Sequence, residues 1–322
     1  MSPRGCSFPL QRRLADFASD VPFQGVPGKL REHYGIELCP ETIRKVTLTH
    51  AEKMEKFLEV PSQKATGKAK QVLAEADGSM IPIVTVDNQS EKKDKRKTRA
   101  VKWREARLCH ARNVDSVTAI FRATLKGVEE TGDKWFLCAL EAGFGDETKV
   151  HCIGDGAPWI RDQADRIFSE QGSYLIDFYH VSEYLARAGE EISSEQRKDW
   201  VKEQQCLLKS GKLYRVLQNL EALIYSKGKD QKGGASYECY TYLVKRMLQL
   251  DYLGAILDGL PIGSGEIESG HRHVIQKRMK RAGMWWKENN AEKILQLLTL
   301  RSNGSWEEYW ENQSSSHWKE AA

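Results

Sequence analysis

Three expected strand ends or helix starts in this 322-residue chain carry an acid beside glycine: Asp77 in EADGSM, Asp155 in IGDGAPW, and Glu266 or Glu268 in GSGEIES. Carboxylates that converge at strand ends or helix starts repel one another unless a cation holds them, and hard oxygen ligands suit magnesium best. Each acid also has an ordinary use. Asp77-Gly78 is a hairpin signal, Asp155-Gly156 a helix N-cap, and Glu266 and Glu268 are first-turn acids favoured by the helix dipole. Basic runs accompany them. Residues 92 to 104 hold eight (Lys92, Lys93, Lys95, Arg96, Lys97, Arg99, Lys102, Arg104) against one acid, Asp94. Residues 272 to 281 hold five (Arg272, Lys277, Arg278, Lys280, Arg281) against none. One such run is usually a solvated loop, but two beside acid motifs point to the phosphates of a nucleic acid.

The elements that must position these residues follow from periodicity. GKLREHYGIELCPETIRKVTLTHAE reads as a short helix, a turn at Gly35 and a second helix opened by Pro40. This is a helix-turn-helix that presents Thr42, Arg44, Lys45 and Thr49 and buries Ile43, Val46 and Leu48, or else a plain helical hairpin. After a polar bridge the pattern alternates: two strands at about 70–77 and 80–87 joined at Asp77-Gly78, a strand in VKWREARLCHA, an extended piece in DSVTAIFRATL, and a helix ending at Gly143. KVHCIGDGAPWI is a buried strand, glycine turn and helix, and SYLIDFYHVSEYL repeats that logic. From 183 to 257 only helical spacing remains. A helix then starts near Ser264 and runs past Arg281. The tail from Ser302 is polar and expected to be ordered only in part.

Composition bounds the rest. With 40% hydrophobic and 29% charged residues, no long apolar run and no leader-like N-terminus, the sequence predicts a cytoplasmic protein without membrane contact. The net charge of +4 implies no uniformly basic surface. Seven dispersed cysteines without a C-x-x-C pair fit neither a disulfide framework nor a zinc ribbon, and read as core thiols.

GDGAPWI, then LIDFYHVSEYL, then LPIGSGEIES followed by KRMKRAGMWW, with EADGSM upstream and NGSWEEYW at the close, resemble the ISKra group of insertion-sequence transposases, members of the wider DDE transposases. The resemblance covers nearly the whole chain, and its last block is the most specific. It implies an α/β, ribonuclease H-like fold: a mixed five-stranded sheet flanked by helices, with an all-helical insertion before the last catalytic helix and a helix-turn-helix-like N-terminal region. The boundaries expected are 1–60, 70–182 and 183–257 for the DNA-binding region, first core part and insertion, then 258–301 for the final helix and 302–322 for the tail.

The same resemblance implies that Asp77, Asp155 and Glu268 are the catalytic acids and hold two Mg2+ ions, for which Mn2+ can substitute. Asp177 with His180 corresponds to a D-x-x-H element. Arg44, Lys45, Lys92, Lys93, Lys95, Arg96, Lys97, Arg272, Lys277, Arg278, Lys280 and Arg281 become candidates for DNA contact. The implied reaction cuts DNA at element ends and joins the freed 3′-hydroxyl to target DNA, in a homodimer or higher oligomer at the nucleoid. Alternatives are a non-catalytic DNA-binding relative and a nuclease that never joins. Asp87 competes with Asp77 for the first position, and His180 has a packing role against Tyr179 and Tyr184 as its alternative. Glu266 and Glu268 lie about 200° apart on a helix and cannot face one ion together; the resemblance selects Glu268. His271 and His273 read as polar helix-face residues. The chain begins close to the helix-turn-helix, which predicts an N-terminally shortened copy, and the lysine run at 91–100 is an insertion or a subgroup linker.

Overall fold

The computed structural model describes residues 5–60, 69–87, 89–91, 93–226 and 233–321, and among these the side chains of all but Lys95, Arg96 and 315–321. Lys92 lies outside the described residues. The secondary structure is α/β, a mixed five-stranded sheet with flanking helices. The chain divides into two compact units: Met1–Thr148 with Glu266–Ala322, and Lys149–Gly265.

The first unit opens with α1 (Phe8–Asp20), α2 (Val26–Tyr34) and α3 (Pro40–Leu58). Gly35 ends α2 in the left-handed region at φ 63°, where a Cβ would be strained, and Pro40 opens α3 with its φ already fixed. Ile43, Val46 and Leu48 are buried as their spacing predicts, Lys45 and Thr49 are exposed, and Thr42 and Arg44 are half-buried.

The expected turn at Asp77-Gly78 is not one. A single strand β1 (Gln71–Val86) runs through it, paired without a break to β2 (Arg99–Asn113) from Val72 opposite Asn113 to Val86 opposite Arg99. Gly78 lies inside the strand rather than in a turn, and a Cβ there would meet the Glu105 side chain, itself ion-paired with Arg107. The reversal comes at 87–98, in the lysine-rich stretch, where the Asp87 N–H bonds Thr98 Oγ1 at 3.0 Å. β3 (Ile120–Thr124) joins β2 antiparallel, and α4 (Val128–Glu141) packs on this sheet with Trp135 Nε1 donating to the His110 carbonyl.

The C-terminal part is more helical and more buried than its polarity suggests. After α13 (Glu288–Ser302), which packs against α3 and β3, comes α14 (Trp306–Ala321), whose Tyr309 and Trp310 are buried in the core of this unit. They meet His50 of α3, whose Nδ1 lies 2.8 Å from the Tyr309 hydroxyl and whose Nε2 lies 2.8 Å from Gln11 Oε1. Burial pushes the His50 imidazole down to about 4, so it is neutral in the folded chain at pH 7. The unfolded chain takes up that proton near pH 6.5, so the stability involved is complete above 6.5 and is lost as pH falls towards 4, to a total of about 3 kcal/mol. Urea midpoints at pH 7.5 and 4.5 should converge more in a His50→Gln variant than in the wild type. An identical pH dependence in the two would contradict this.

In the second unit, β4 (Lys149–Gly154) and β5 (Gly172–Ile176) pair in parallel through the crossover helix α5 (Pro158–Phe168). Then come α6 (Phe178–Gly189), α7 (Ser194–Lys209), α8 (Leu213–Ser226), α9 (Ala235–Val244) and α10 (Tyr252–Leu257), with no further strand among the described residues of this unit. Val216, Leu217, Leu220 and Leu243 lie in its core, as their helical spacing predicts, whereas Met247 and Leu248, at the same spacing, are exposed because the helix ends at Val244.

The acid-bearing segment differs in detail from one long helix. It runs as α11 (Gly265–Gly270), a π-helical turn (His271–Gln276) and α12 (Lys277–Met279), and stops before Arg281. Among the described residues, no helix is long and apolar enough to cross a membrane.

Candidate metal and nucleic-acid site

Alternation along β1 puts Glu75 and Asp77 on one face, and the segment starting at Gly265 docks on that face. Glu75 is fully buried. Its Oε2 accepts from the Ile267 N–H at 2.8 Å and from His110 Nε2 at 3.2 Å, while its Oε1 has no hydrogen-bond partner. The bond to Ile267 satisfies a first-turn N–H of the helix. One turn on, buried His271 brings Nε2 to 3.4 Å from Asp77 Oδ2. Burial holds His271 down at about 4, so no imidazolium neutralises Asp77 at pH 7. π-helical turns recur at functional sites because they re-aim side chains, and this one begins at His271.

The two glutamates separate as their spacing requires. Glu266 is bound by Arg112, with Nε at 3.0 and 2.9 Å and Nη2 at 2.7 Å. Burial works to raise its pKa, but the Arg112 hydrogen bonds outweigh that and hold the carboxyl below its usual value. Glu268 is exposed and approaches Arg272 at 3.9 Å. At about 100° per residue, Glu268 lies about 60° around the helix from His271 and Glu266 about 140°. By helical spacing Glu268 is the acid closer in direction to His271, while Glu266 is tied to β2 through Arg112.

Asp155, in the second unit, follows β4. Its Oδ1 accepts from the Ala157 N–H at 2.8 Å, and Gly156 adopts φ 84° next to Tyr242. Asp177 caps α6 through the His180 N–H at 2.8 Å and also accepts from Ser264 Oγ at 2.6 Å, which uses both of its oxygens. His180 packs edge-on against Tyr184 and Tyr242.

Of the basic candidates, Arg272, Lys277 and Lys280 are exposed, and Lys280 Nζ reaches Ser79 Oγ at 3.4 Å, two residues past Asp77 on β1. Arg278 is not at the surface. It is 2% exposed, donates to the Ala18 carbonyl at 2.9 Å and lies over the Phe23 and Trp286 rings, a packed position that corrects its expected role in DNA contact. Arg281 donates to the carbonyls of Asp20 and Lys277. Lys93 and Lys97 are exposed in the hairpin loop. Arg44 bonds Glu41 at 2.9 and 2.6 Å, and Lys45 approaches the same acid at 3.4 Å.

Sequence reasoning passed over Glu75, His110 and Arg112. Glu75 was within reach of it: an acid two residues from Asp77 on a strand shares its face. Asp87 stands at an odd spacing from neither, but it lies beyond the end of β1 on an exposed loop.

No family model matches the chain. A UPF0236 protein of Caldanaerobacter subterraneus subsp. tengcongensis, whose name joins four locus designations, is 24% identical over 272 residues, 83% of this chain and 54% of its own. Another from the same organism, whose name joins eleven, is 25% identical over 272 residues with the same coverage. The chain thus spans about half the length of the curated relatives it matches. Neither name mentions the ISKra group. A solved chain of the Drosophila P element transposase strand transfer complex is similar at 9% identity and a TM-score of 0.35, over 96% of this chain and 81% of that one.

Proposed function

We propose that the chain is a DNA transposase that cuts strands at element ends and transfers them into target DNA, with Asp77, Asp155 and Glu268 as its catalytic acids. The observation that carries this reading is the docking of the Glu268 helix on the Asp77 face of β1 through Glu75, Ile267 and His271, although about 190 residues of chain separate them. The many locus designations joined in the names of the similar proteins support it, because repeated copies in one genome are what a mobile element leaves.

Carboxylate oxygens are donors of the kind a hard divalent cation takes. Asp77 and Glu268 offer carboxylates that solvent reaches, and the buried Glu75 Oε1, on the same face of β1 as Asp77, has no hydrogen-bond partner. Among the described residues no three such side chains are grouped to hold an ion, and magnesium commonly completes its shell with water and substrate phosphate. Asp77, Asp155 and Glu268 would hold Mg2+ or Mn2+, which when bound polarises the scissile phosphate and lowers the pKa of water. The protein does the remaining work. Glu75 fixes the height of the helix, Arg112 keeps Glu266 turned away, His271 shields the inner side of Asp77, and Arg272, Lys277 and Lys280 grip the DNA backbone. Mg2+ or Mn2+ should support cleavage, whereas Ca2+ should allow DNA binding with little turnover because its looser coordination suits the reaction poorly. Full cleavage in EDTA after bound metal has been stripped would overturn the reading.

A further inference from the structure

We propose that the outer face of the β1–β2 hairpin is a stacking surface for unpaired DNA nucleotides; this deepens the DNA reading above and rests on it. Trp103 on β2 stands opposite Pro82, and the chain segment carrying Trp286 lies along the other edge of β1, with Trp286 N–H donating to Pro82 and accepting at its carbonyl from the Val84 N–H. Trp286 points inward with Ile83, so alternation turns Trp285 outward, onto the face of Pro82 and Trp103. Both indoles are open to solvent, Trp103 at 60% and Trp285 at 42%, with Met80 and Val101 exposed on the same face. At strand spacings of about 4.8 Å, the two rings stand roughly 10 Å apart across β1.

Two indoles left in water on one sheet face mark a binding surface, and the charge around them selects the partner. Arg99 reaches across β1 to lie 4.5 Å over the Trp285 ring. Residues 95 to 104 carry six basic side chains and no acid; alternation puts Arg99 on this face and Lys102 and Arg104 on the other, with Arg104 paired to Glu288. The acid on this face, Glu105, is already paired with Arg107. A second copy of the chain would bring like charges together, whereas a nucleic acid supplies phosphates for the cations and π-faces for the indoles. Base faces are buried in a duplex, so only unpaired nucleotides can stack here.

The test is binding of a labelled oligothymidylate and of an abasic strand of the same length, both in EDTA so that cleavage plays no part. Trp103→Ala and Trp285→Ala should each weaken oligothymidylate binding about 5- to 150-fold, leave the abasic strand unaffected and leave the salt slope unchanged. Lys93→Ala with Lys97→Ala should instead flatten the salt slope of both strands by up to roughly 1.4. Circular dichroism checks that the variants fold. The proposal is overturned if the tryptophan variants bind oligothymidylate like the wild type, or lose both strands equally. It is also overturned if they dissolve a dimer in sedimentation while DNA binding stands. If the wild type binds neither strand, the transposase reading falls with it; if it stacks bases but never cuts DNA, this inference stands and that reading alone falls.

Discussion

Glu268→Gln should fold, bind DNA and fail to cut it. The substitution keeps the shape of an exposed side chain whose ion pair with Arg272 is long, at 3.9 Å, so stability should hardly change. What it removes is a charge that would offset a divalent cation, a loss of several kcal/mol of transition-state stabilisation and on the order of a thousandfold or more in rate. Glu266→Gln reverses the pattern. It breaks the two-pronged bond to Arg112, a half-buried guanidinium that also braces the carbonyls of Asn113, Val114 and Ser116. That should cost stability of about 1 to 2 kcal/mol and leave cleavage largely intact. The sequence alone gave Glu266 only a helix-dipole role, with a smaller cost. Single-turnover cleavage by both variants decides the matter; an active Glu268→Gln beside a dead Glu266→Gln would reverse the assignment.

Trp310→Ala should destabilise the first unit by roughly 3 kcal/mol. The indole is 2% exposed and packs edge-on against Phe8, Trp306 and Tyr309, with His50 4.5 Å away between ring centres. Truncation of a buried tryptophan typically costs about 3 to 5 kcal/mol. Its Nε1 is buried without a partner, so removing it relieves one unfavourable group and places the expectation at the lower end. Urea unfolding followed by circular dichroism measures the loss, and a change below about 1 kcal/mol would mean that α14 is not part of the core.

These two residues also mark where the sequence was readable. Elements announced by local chemistry came through: Gly35 and Pro40 bounding α2 and α3, Gly143 after α4, and the strand–glycine–helix order around Asp155. What failed depended on distant partners. Asp77-Gly78 looked like a turn because that pair tolerates positive φ, but whether the chain uses the tolerance is decided by β2, which continues past it in register. The tail looked loose because its average polarity hides Tyr309 and Trp310, and their burial needs Phe8 and His50 from the opposite end of the chain. In the candidate site, Asp77, Asp155 and Glu268 could be selected from motifs. Glu75 could have been, as an acid two residues from Asp77 on one strand, but His110 and Arg112 could not, since each acts through a bond to a residue more than 30 positions away. His271 and Arg278, read as surface residues, are buried for the same reason: helical spacing says which residues share a face, not what covers it.

The central claim is that these carboxylates support metal-dependent strand cleavage and joining. Its most direct test incubates the purified chain with end-labelled DNA carrying the sequences that flank its own coding region, together with plasmid target and Mg2+. The account predicts strands cut to leave 3′-hydroxyl ends, some of them joined to plasmid, and neither product with Asp77→Asn or Asp155→Asn. Cleavage that persists undiminished in either variant, or DNA bound by the wild type but never cut, would contradict it.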